Sequence, residues 1–402
     1  MTSGVDRRAM ATLSAGHMFT DVAQGAIPAM LPFLIAAHHL SYAAASALIL
    51  AATISSSVIQ PLFGHVSDRL SLPWLMPLGP MLGGVGVALA GWAPNYALTF
   101  AAIVLSGLGV AAFHPEGSRF ANYVSGAQRA SGMSLFSVGG NVGFALGPVL
   151  MTPVLLVFGL HGSLFVLVPT LLMAAVLLRE LPRLKGFRTD LVAGRVQPGR
   201  HEEAWGPFTL LAGVIALRSF VYFGMVTFIP LYYVADLHVG KAYGNTALAV
   251  MLLGGAVGTL IGGRLADRVG RRTVLTGSML ALPPLIAGFL LSGPALGVVF
   301  AGLLGAATIA TFAVTIVMGQ EYLPGRLGVA AGVTIGLSIG LGGAGAPVLG
   351  LIADAHGPKS VFEVIAVLPL LALGLTLALP RALPSHVAAA YQRAAAGVVN
   401  AG

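Results

Sequence analysis

The chain has no cysteine among its 402 residues. That excludes disulfides, thiolate metal sites and a cysteine nucleophile. Charge is almost as scarce: Asp, Glu, Lys and Arg make up 8% of the chain, against about a quarter in a soluble protein. A phosphate-cradling loop of the form Gly-x-x-x-x-Gly-Lys-Ser/Thr is also missing, so ATP-driven pumping is unsupported. No nucleophile and base stand at the spacing of a catalytic triad. What fills the chain is apolar: 57% of residues are hydrophobic and the mean hydropathy is +0.91. Glycine is abundant at 54, which suits helices packed closely in lipid.

A span of about 20 apolar residues crosses about 30 Å of hydrocarbon. That ruler places spans at 11–36, 43–66, 73–92, 96–123, 129–156, 162–180, 207–235, 242–266, 272–292, 295–322, 327–353 and 360–379. The first apolar run continues far past signal-peptide length and is read as a retained span. The longest polar interruption, 181–206, carries Arg183, Lys185, Arg188, Arg195 and Arg200 and divides the spans six and six. The predicted organisation is therefore a six-helix bundle over 1–180, a linker over 181–206, a second bundle over 207–380 and a polar tail over 381–402.

With the N-terminus inside, Arg7, Arg8, Arg69, Arg129, the linker cluster, Arg264, Arg268, Arg271, Arg272, Arg326, Arg381 and Arg393 all fall on one side. Only Lys241 and Lys359 lie in loops on the other. This bias predicts a multi-pass protein with both termini cytoplasmic, in the inner membrane of a bacterial-type cell. It also accounts for the net charge of +8 without a nucleic-acid partner. The expected partners are the lipid bilayer, protons and a small-molecule substrate.

An internal repeat specifies the architecture. Gly64-His-Val-Ser-Asp68-Arg69 recurs 199 residues later as Gly263-Arg-Leu-Ala-Asp267-Arg268. The same shift carries Phe113 onto Phe312, Tyr123 onto Tyr322 and Pro148-Val-Leu onto Pro347-Val-Leu. The predicted fold is thus all-α, twelve transmembrane helices in two parallel six-helix bundles related by a pseudo-two-fold axis along the membrane normal, with a substrate path between them.

Ionisable groups inside the bilayer are costly, so each is a functional candidate. Asp21 lies near the middle of the first span, and His17, Asp21 and Gln24 share a helix face at i, i+4, i+7. A carboxylate in a half-dry cavity suits reversible protonation, which makes Asp21 a proton-coupling candidate; a structural carboxylate held ionised by a basic partner is the other reading. Arg218, near the middle of the seventh span, shares a face with Tyr222 and Met225. Two roles stand open for it: binding an anionic substrate with its planar fork, or neutralising Asp21 across the interface. His114, on the inner side of the fourth-span midpoint, is a proton or substrate relay or else a hydrogen-bonded helix-kink histidine. Glu116 belongs to the same proton-coupling set but stands three residues before Arg119, within reach of an ion pair along the helix. Ser134, Ser137 and Asn141 form one polar stripe, and Thr308, Thr311 and Thr315 another; each either lines a water-filled path or bonds between helices. His17, Gln24, Arg218, Tyr222, Asn141 and Thr311 are the predicted substrate contacts. His38-His39 in the first outer loop lack a third ligand, so no metal site and no cofactor are predicted.

The segment Gly263-Arg-Leu-Ala-Asp267-Arg268-Val-Gly270-Arg271-Arg272 resembles the signature loop of the major facilitator superfamily, and the resemblance covers residues 9–380. It implies alternating access between two rocking halves. It also implies a gate at Asp68, Arg69, Asp267, Arg268 and Arg271, with charges that only set topology as the other reading; the first copy departs from the pattern, running Leu-Ser-Leu-Pro after Arg69. Gly139, Gly143 and Gly147 with Pro148 in span five resemble the antiporter motif of that family, and further glycine rows lie at 254, 258, 262 and at 332, 336, 340. His17-Met-Phe-Thr-Asp21, Ala112-Phe113-His114-Pro115-Glu116-Gly117 and Leu217-Arg218-Ser219 are similar to the fosmidomycin-resistance branch. That resemblance implies drug export driven by inward proton flow, with an anionic phosphonate-like antibiotic as one cargo class. An importer or exchanger of a small organic anion or sugar acid is the alternative, and a non-transporting membrane receptor a more remote one. A monomer is the expected state, and no enzymatic activity is expected.

Overall fold

The computed structural model describes residues 5–60, 62–63, 72–126, 128–187, 203–323, 326, 329–330 and 332–380. Asp68 and Arg69, residues 188–202 of the linker and the whole tail over 381–402 lie outside them. In hydrocarbon every backbone polar group must be satisfied within its own segment, so the long apolar runs fold as helices. These are α1 (Arg7–His38), α2 (Tyr42–Ser57), α3 (Leu75–Trp92), α4 (Tyr96–Val124), α5 (Arg129–Phe158), α6 (Leu167–Gly186), α7 (Trp205–Ala235), α8 (Lys241–Val269), α9 (Arg271–Leu291), α10 (Pro294–Ile309), α11 (Phe312–Tyr322), α12 (Ser338–His356) and α13 (Pro358–Ala378). Polar residues cap the starts: Asp6, Ser41 and Asn95 accept from backbone N–H groups in the first turns of α1, α2 and α4.

Each of the twelve predicted spans has its helix. Among the described residues, ten helical stretches are long and apolar enough to cross a membrane, the longest of them comprising α5 and α6 joined by a 3-10 segment, and α2 is a shorter apolar helix. Two spans are less regular than expected. The tenth breaks into α10 and α11 at residues 310–311, and the eleventh begins with a π-helical turn, Gly332–Leu337, before α12.

The distribution of side chains is that of a multi-pass membrane protein. Leu291, Val157, Leu172, Leu351 and Val168 are exposed on the outside, while Thr20, Ser106, Thr170, Thr308 and many alanines are buried. Small residues inside let backbones approach, and large apolar ones face lipid. Gly139, Gly143 and Gly147 of α5 lie so close to α1 that an added Cβ would sit 2.0–2.3 Å from its backbone at Ser14, Met18 and Gly25. Gly254 and Gly258 of α8 press on α10 in the same way, and Gly262 on Ala310 just past its end. The third predicted row behaves differently: Gly336 and Gly340 face open space and hold no neighbour.

Helix pairing repeats between the halves. α1 packs on α5 as α7 packs on α12; α2 and α3 pack on α4 as α8 and α9 pack on α10; α3 packs on α6 as α9 packs on α13. Between the halves, α2 meets α12 and α5 meets α8, a pair that a pseudo-two-fold axis exchanges. Among the described residues, every hydrogen bond between halves lies at the face away from the termini. Asp354 of α12 accepts from the backbone N–H groups of Tyr42 (2.6 Å) and Ala43 (3.1 Å) at the start of α2. Asn245 of α8 donates to the Ala29 carbonyl (3.0 Å) and to Thr152 (2.9 Å). On the basic face, ion pairs stay within a half: Arg183 with Asp6 at 3.0 Å, Arg8 with Glu180, Arg271 with Glu321, and Arg326 with Glu203 at 2.8 Å.

Candidate functional site

A cavity of about 160 Å³ lies between the halves, lined by Asp21 and Gln24 of α1, Gly140, Asn141 and Phe144 of α5, Arg218, Ser219 and Tyr222 of α7, and Ser338 of α12. Of the six residues predicted as substrate contacts, Gln24, Asn141, Arg218 and Tyr222 line this cavity, and His17 lies one turn from Asp21. Thr311 is the exception. It is fully buried at the break between α10 and α11, with its hydroxyl on the Thr308 carbonyl at 3.1 Å. Thr308 and Thr315 likewise bond to carbonyls of their own segment, so this stripe is spent on helix backbone and not on the cavity.

On the α1 side, three groups converge. His17 Nε2 stands 3.1 Å from His114 Nε2, and Asp21 places one oxygen 3.4 Å from the first ring and the other 3.5 Å from the second. The Nδ1 atoms are committed elsewhere. His17 donates through Nδ1 to the Phe136 carbonyl at 2.8 Å, and His114 through Nδ1 to the Val110 carbonyl at 2.8 Å. A carbonyl only accepts, so both Nδ1 atoms carry hydrogen and the ring lone pairs left at Nε2 face each other, with room for one shared proton between them. Two facing lone pairs at that distance call for an electrophile between them. The His17 ring is held by stacking on Phe136 (centroids 4.3 Å apart) and by the edge of His114. Asp21 Oδ1 is buried without a hydrogen-bond partner.

On the α7 side, Arg218 is 1% exposed. Its guanidinium donates to Ser338 Oγ at 2.9 Å and lies 5.5 Å from the Phe312 ring centroid, while its Nε has no hydrogen-bond partner. No carboxylate among the described residues pairs with it, and the Asp21–Arg218 neutralisation open in the sequence is not formed. Phe312 is the repeat partner of Phe113, whose ring stands 6.0 Å from His17. The same scaffold position therefore backs the acid–imidazole cluster in one half and the guanidinium in the other.

Glu116 is not brought to the cluster. It is fully buried, accepts from the Leu72 N–H at 3.1 Å and pairs with Arg119 at 3.4 Å. Of the predicted gate, Asp267 and Arg268 are exposed at the end of α8, and Arg271 begins α9 after Gly270, whose φ of 89° turns the chain between the two helices. Arg271 bonds to Glu321 within its own half. Ser338, Gly140, Asn245 and Asp354 are the site and interface residues that sequence reasoning passed over. Only Ser338 carried a signal, as the repeat equivalent of Gly139 beside Gly140.

The Major Facilitator Superfamily profile matches residues 13–347 and, in an overlapping match, 211–400. The chain belongs to the Major Facilitator Superfamily. Among curated proteins it is 33% identical over 367 residues to the MFS-type transporter YfnC of Bacillus subtilis (strain 168), covering 89% of each chain. It is 30% identical over 380 residues to the fosmidomycin resistance protein of Escherichia coli (strain K12), covering 92% of each. Solved superfamily-type transporters share the fold at lower identity. A bacterial homologue of the human lysosomal transporter Spinster, inward-facing and occupied, superposes with a TM-score of 0.73 at 15% identity over 92% of this chain and 96% of that one. The nucleoside transporter NupG gives 0.71 at 14% identity over 92% and 98%. This chain is accordingly a transporter of the superfamily.

Proposed function

We propose that this chain is a proton-coupled secondary transporter that exports a small anionic molecule by alternating access, with the cavity between the halves as its binding site. Arg218 carries the reading. A guanidinium buried at the interface, with no carboxylate partner among the described residues, is costly unless an anion completes it, and its fork suits two oxygens of a carboxylate or phosphonate. Ser219, Tyr222, Asn141 and Gln24 supply polar contacts around the same space. A phosphonate-like antibiotic is the cargo class that the likeness to the fosmidomycin resistance protein supports.

Asp21, which lines the cavity from the other half, and His114 beside it are the exchangeable pair in this reading. Protonation there and anion binding at Arg218 then compete through the charge of one small cavity, which is what exchange of cargo for protons requires. Glu116, tied to Arg119 and the Leu72 N–H, anchors the loop after α2. The signature loop with Asp68, Arg69, Asp267, Arg268 and Arg271 acts as the gate on the basic face, opposite the Asp354 and Asn245 contacts. The charge bias supports cytoplasmic termini in an inner membrane. Both cavity walls come from one chain, which supports a working monomer.

The test is transport in proteoliposomes under an imposed pH gradient, with fosmidomycin and a panel of other anionic and lipophilic drugs. One compound is expected to trigger proton movement, and Asp21→Asn is expected to abolish it in a folded protein. Full proton-coupled activity in Asp21→Asn would sink the assignment of the coupling site.

A further inference from the structure

The cluster beside the cavity has a feature that proton coupling does not require. Its three ligand atoms lie within 4.8 Å of one another: the two Nε2 atoms stand 3.1 Å apart, and Asp21 sets Oδ2 3.4 Å from His17 Nε2 and Oδ1 3.5 Å from His114 Nε2. Ligands at about 2.0–2.2 Å from a tetrahedral zinc ion stand about 3.3–3.5 Å apart. Both histidines donate Nδ1–H to backbone carbonyls, the outer-shell arrangement that fixes the tautomer and aims Nε2 at a metal. Asp21 Oδ1 is buried and lacks a partner. The space for an ion is kept by a glycine: a Cβ on Gly140 would fall 2.4 Å from His17 Nε2 and 2.9 Å from Asp21 Oδ2. Asp21 and Gly140 also line the cavity, so a fourth coordination position opens toward cargo or water.

We propose that His17, His114 and Asp21 form a binding site for a first-row divalent cation, Zn²⁺ foremost, with Gly140 as its floor and its open position toward the central cavity. Two imidazoles and one carboxylate suit such cations and not Mg²⁺ or Ca²⁺, which take oxygen ligands. The ion enters where the facing lone pairs need an electrophile, and any proton they share leaves for solvent as the ion binds. Occupancy therefore falls at low pH. Spacing along the chain could not reveal this site, because His17 and His114 come from different helices and meet only where α1 and α4 cross.

The full chain, purified in detergent with any affinity tag removed, is dialysed against Zn²⁺ and its metal content measured. About one Zn²⁺ per chain is expected, with affinity lowered more than about tenfold in His114→Gln and in Asp21→Asn, since losing even an outer-shell partner typically costs 10–100-fold. Co²⁺ is expected to give the intense visible bands of a tetrahedral site. With no cysteine in the chain, such bands report nitrogen and oxygen ligands. Metal content equal in the native chain and both variants, or lost instead on changing His38 and His39, overturns the proposal. Should the variants not fold, Zn²⁺ protection of His17 and His114 from acylation in the native chain decides it: protection supports the site, and equal modification with and without Zn²⁺ overturns it. Binding is read without transport, so its failure leaves the exporter reading standing, and failure of transport leaves the metal site standing.

Discussion

At the scale of single residues, Arg218 is the most exposed to test. Its Nη2 bond to Ser338 and its place against Phe312 hold the fork still, so little entropy is lost when an anion arrives. Arg218→Lys keeps the charge and loses the planar fork. Losing a charged hydrogen bond costs about 1.5–3 kcal/mol, so affinity for an anionic cargo is expected to fall about ten- to hundredfold. Direct binding of the cargo to purified protein measures this; unchanged affinity in Arg218→Lys would remove the arginine from the binding site. The candidate residues were legible in the sequence because charge inside an apolar span is rare. Their partners were not. Ser338 lies 120 residues from Arg218, and which hydroxyl meets it depends on how α7 crosses α12. The same limit explains Thr311: spacing puts the three threonines on one face, but each hydroxyl bonds back onto a carbonyl of its own segment.

At the scale of elements, the glycine rows separate two kinds of helix face. Gly143 has the Met18 carbonyl 2.0 Å from where a Cβ would be, whereas Gly340 has nothing within 4 Å. Gly143→Ala is expected to force α1 and α5 apart and destabilise the protein by about 1–3 kcal/mol, as overpacking does elsewhere. Gly340→Ala, in the regular helix α12, is expected to be neutral or to stabilise by up to about 1 kcal/mol through helix propensity. Thermal unfolding midpoints of the two variants in the same detergent provide the comparison, and equal destabilisation would refute the assignment of the faces. Spans and glycine spacing were readable from period alone. Whether a row meets a neighbour was not, since 139, 143, 147 and 332, 336, 340 look equivalent until the second row proves to begin in a π-helical turn. A six-residue turn of different pitch rotates the face that the spacing implied.

At the scale of the whole molecule, the 199-residue repeat already implied two halves, and the repeated helix pairing follows from it. How the halves close did not follow, because the contacts that join them break the repeat. Asp354 occupies the end of α12 and caps the start of α2 across the interface, adding its charge to the two N–H groups of Tyr42 and Ala43. A carboxylate at a helix N-terminus contributes about 0.3–1 kcal/mol, and up to about 2 kcal/mol when partly buried. In a two-state rocking equilibrium, 1–2 kcal/mol is about a five- to thirtyfold change in population. Asp354→Ala removes both bonds and the charge while leaving the Ser41 cap of α2 in place, so the helix itself is expected to persist. The variant is expected to open more often on the face away from the termini. The absence of native cysteine makes this measurable: Ala256→Cys places a single thiol on the cavity wall, and its labelling by a membrane-impermeant reagent reports opening on each side. Faster labelling from the face away from the termini, in Asp354→Ala over the single-cysteine parent, is the expected result. Equal rates would mean that the packing of α2 on α12, where Gly350 meets the Ala43 backbone, holds that face shut without help from the charge.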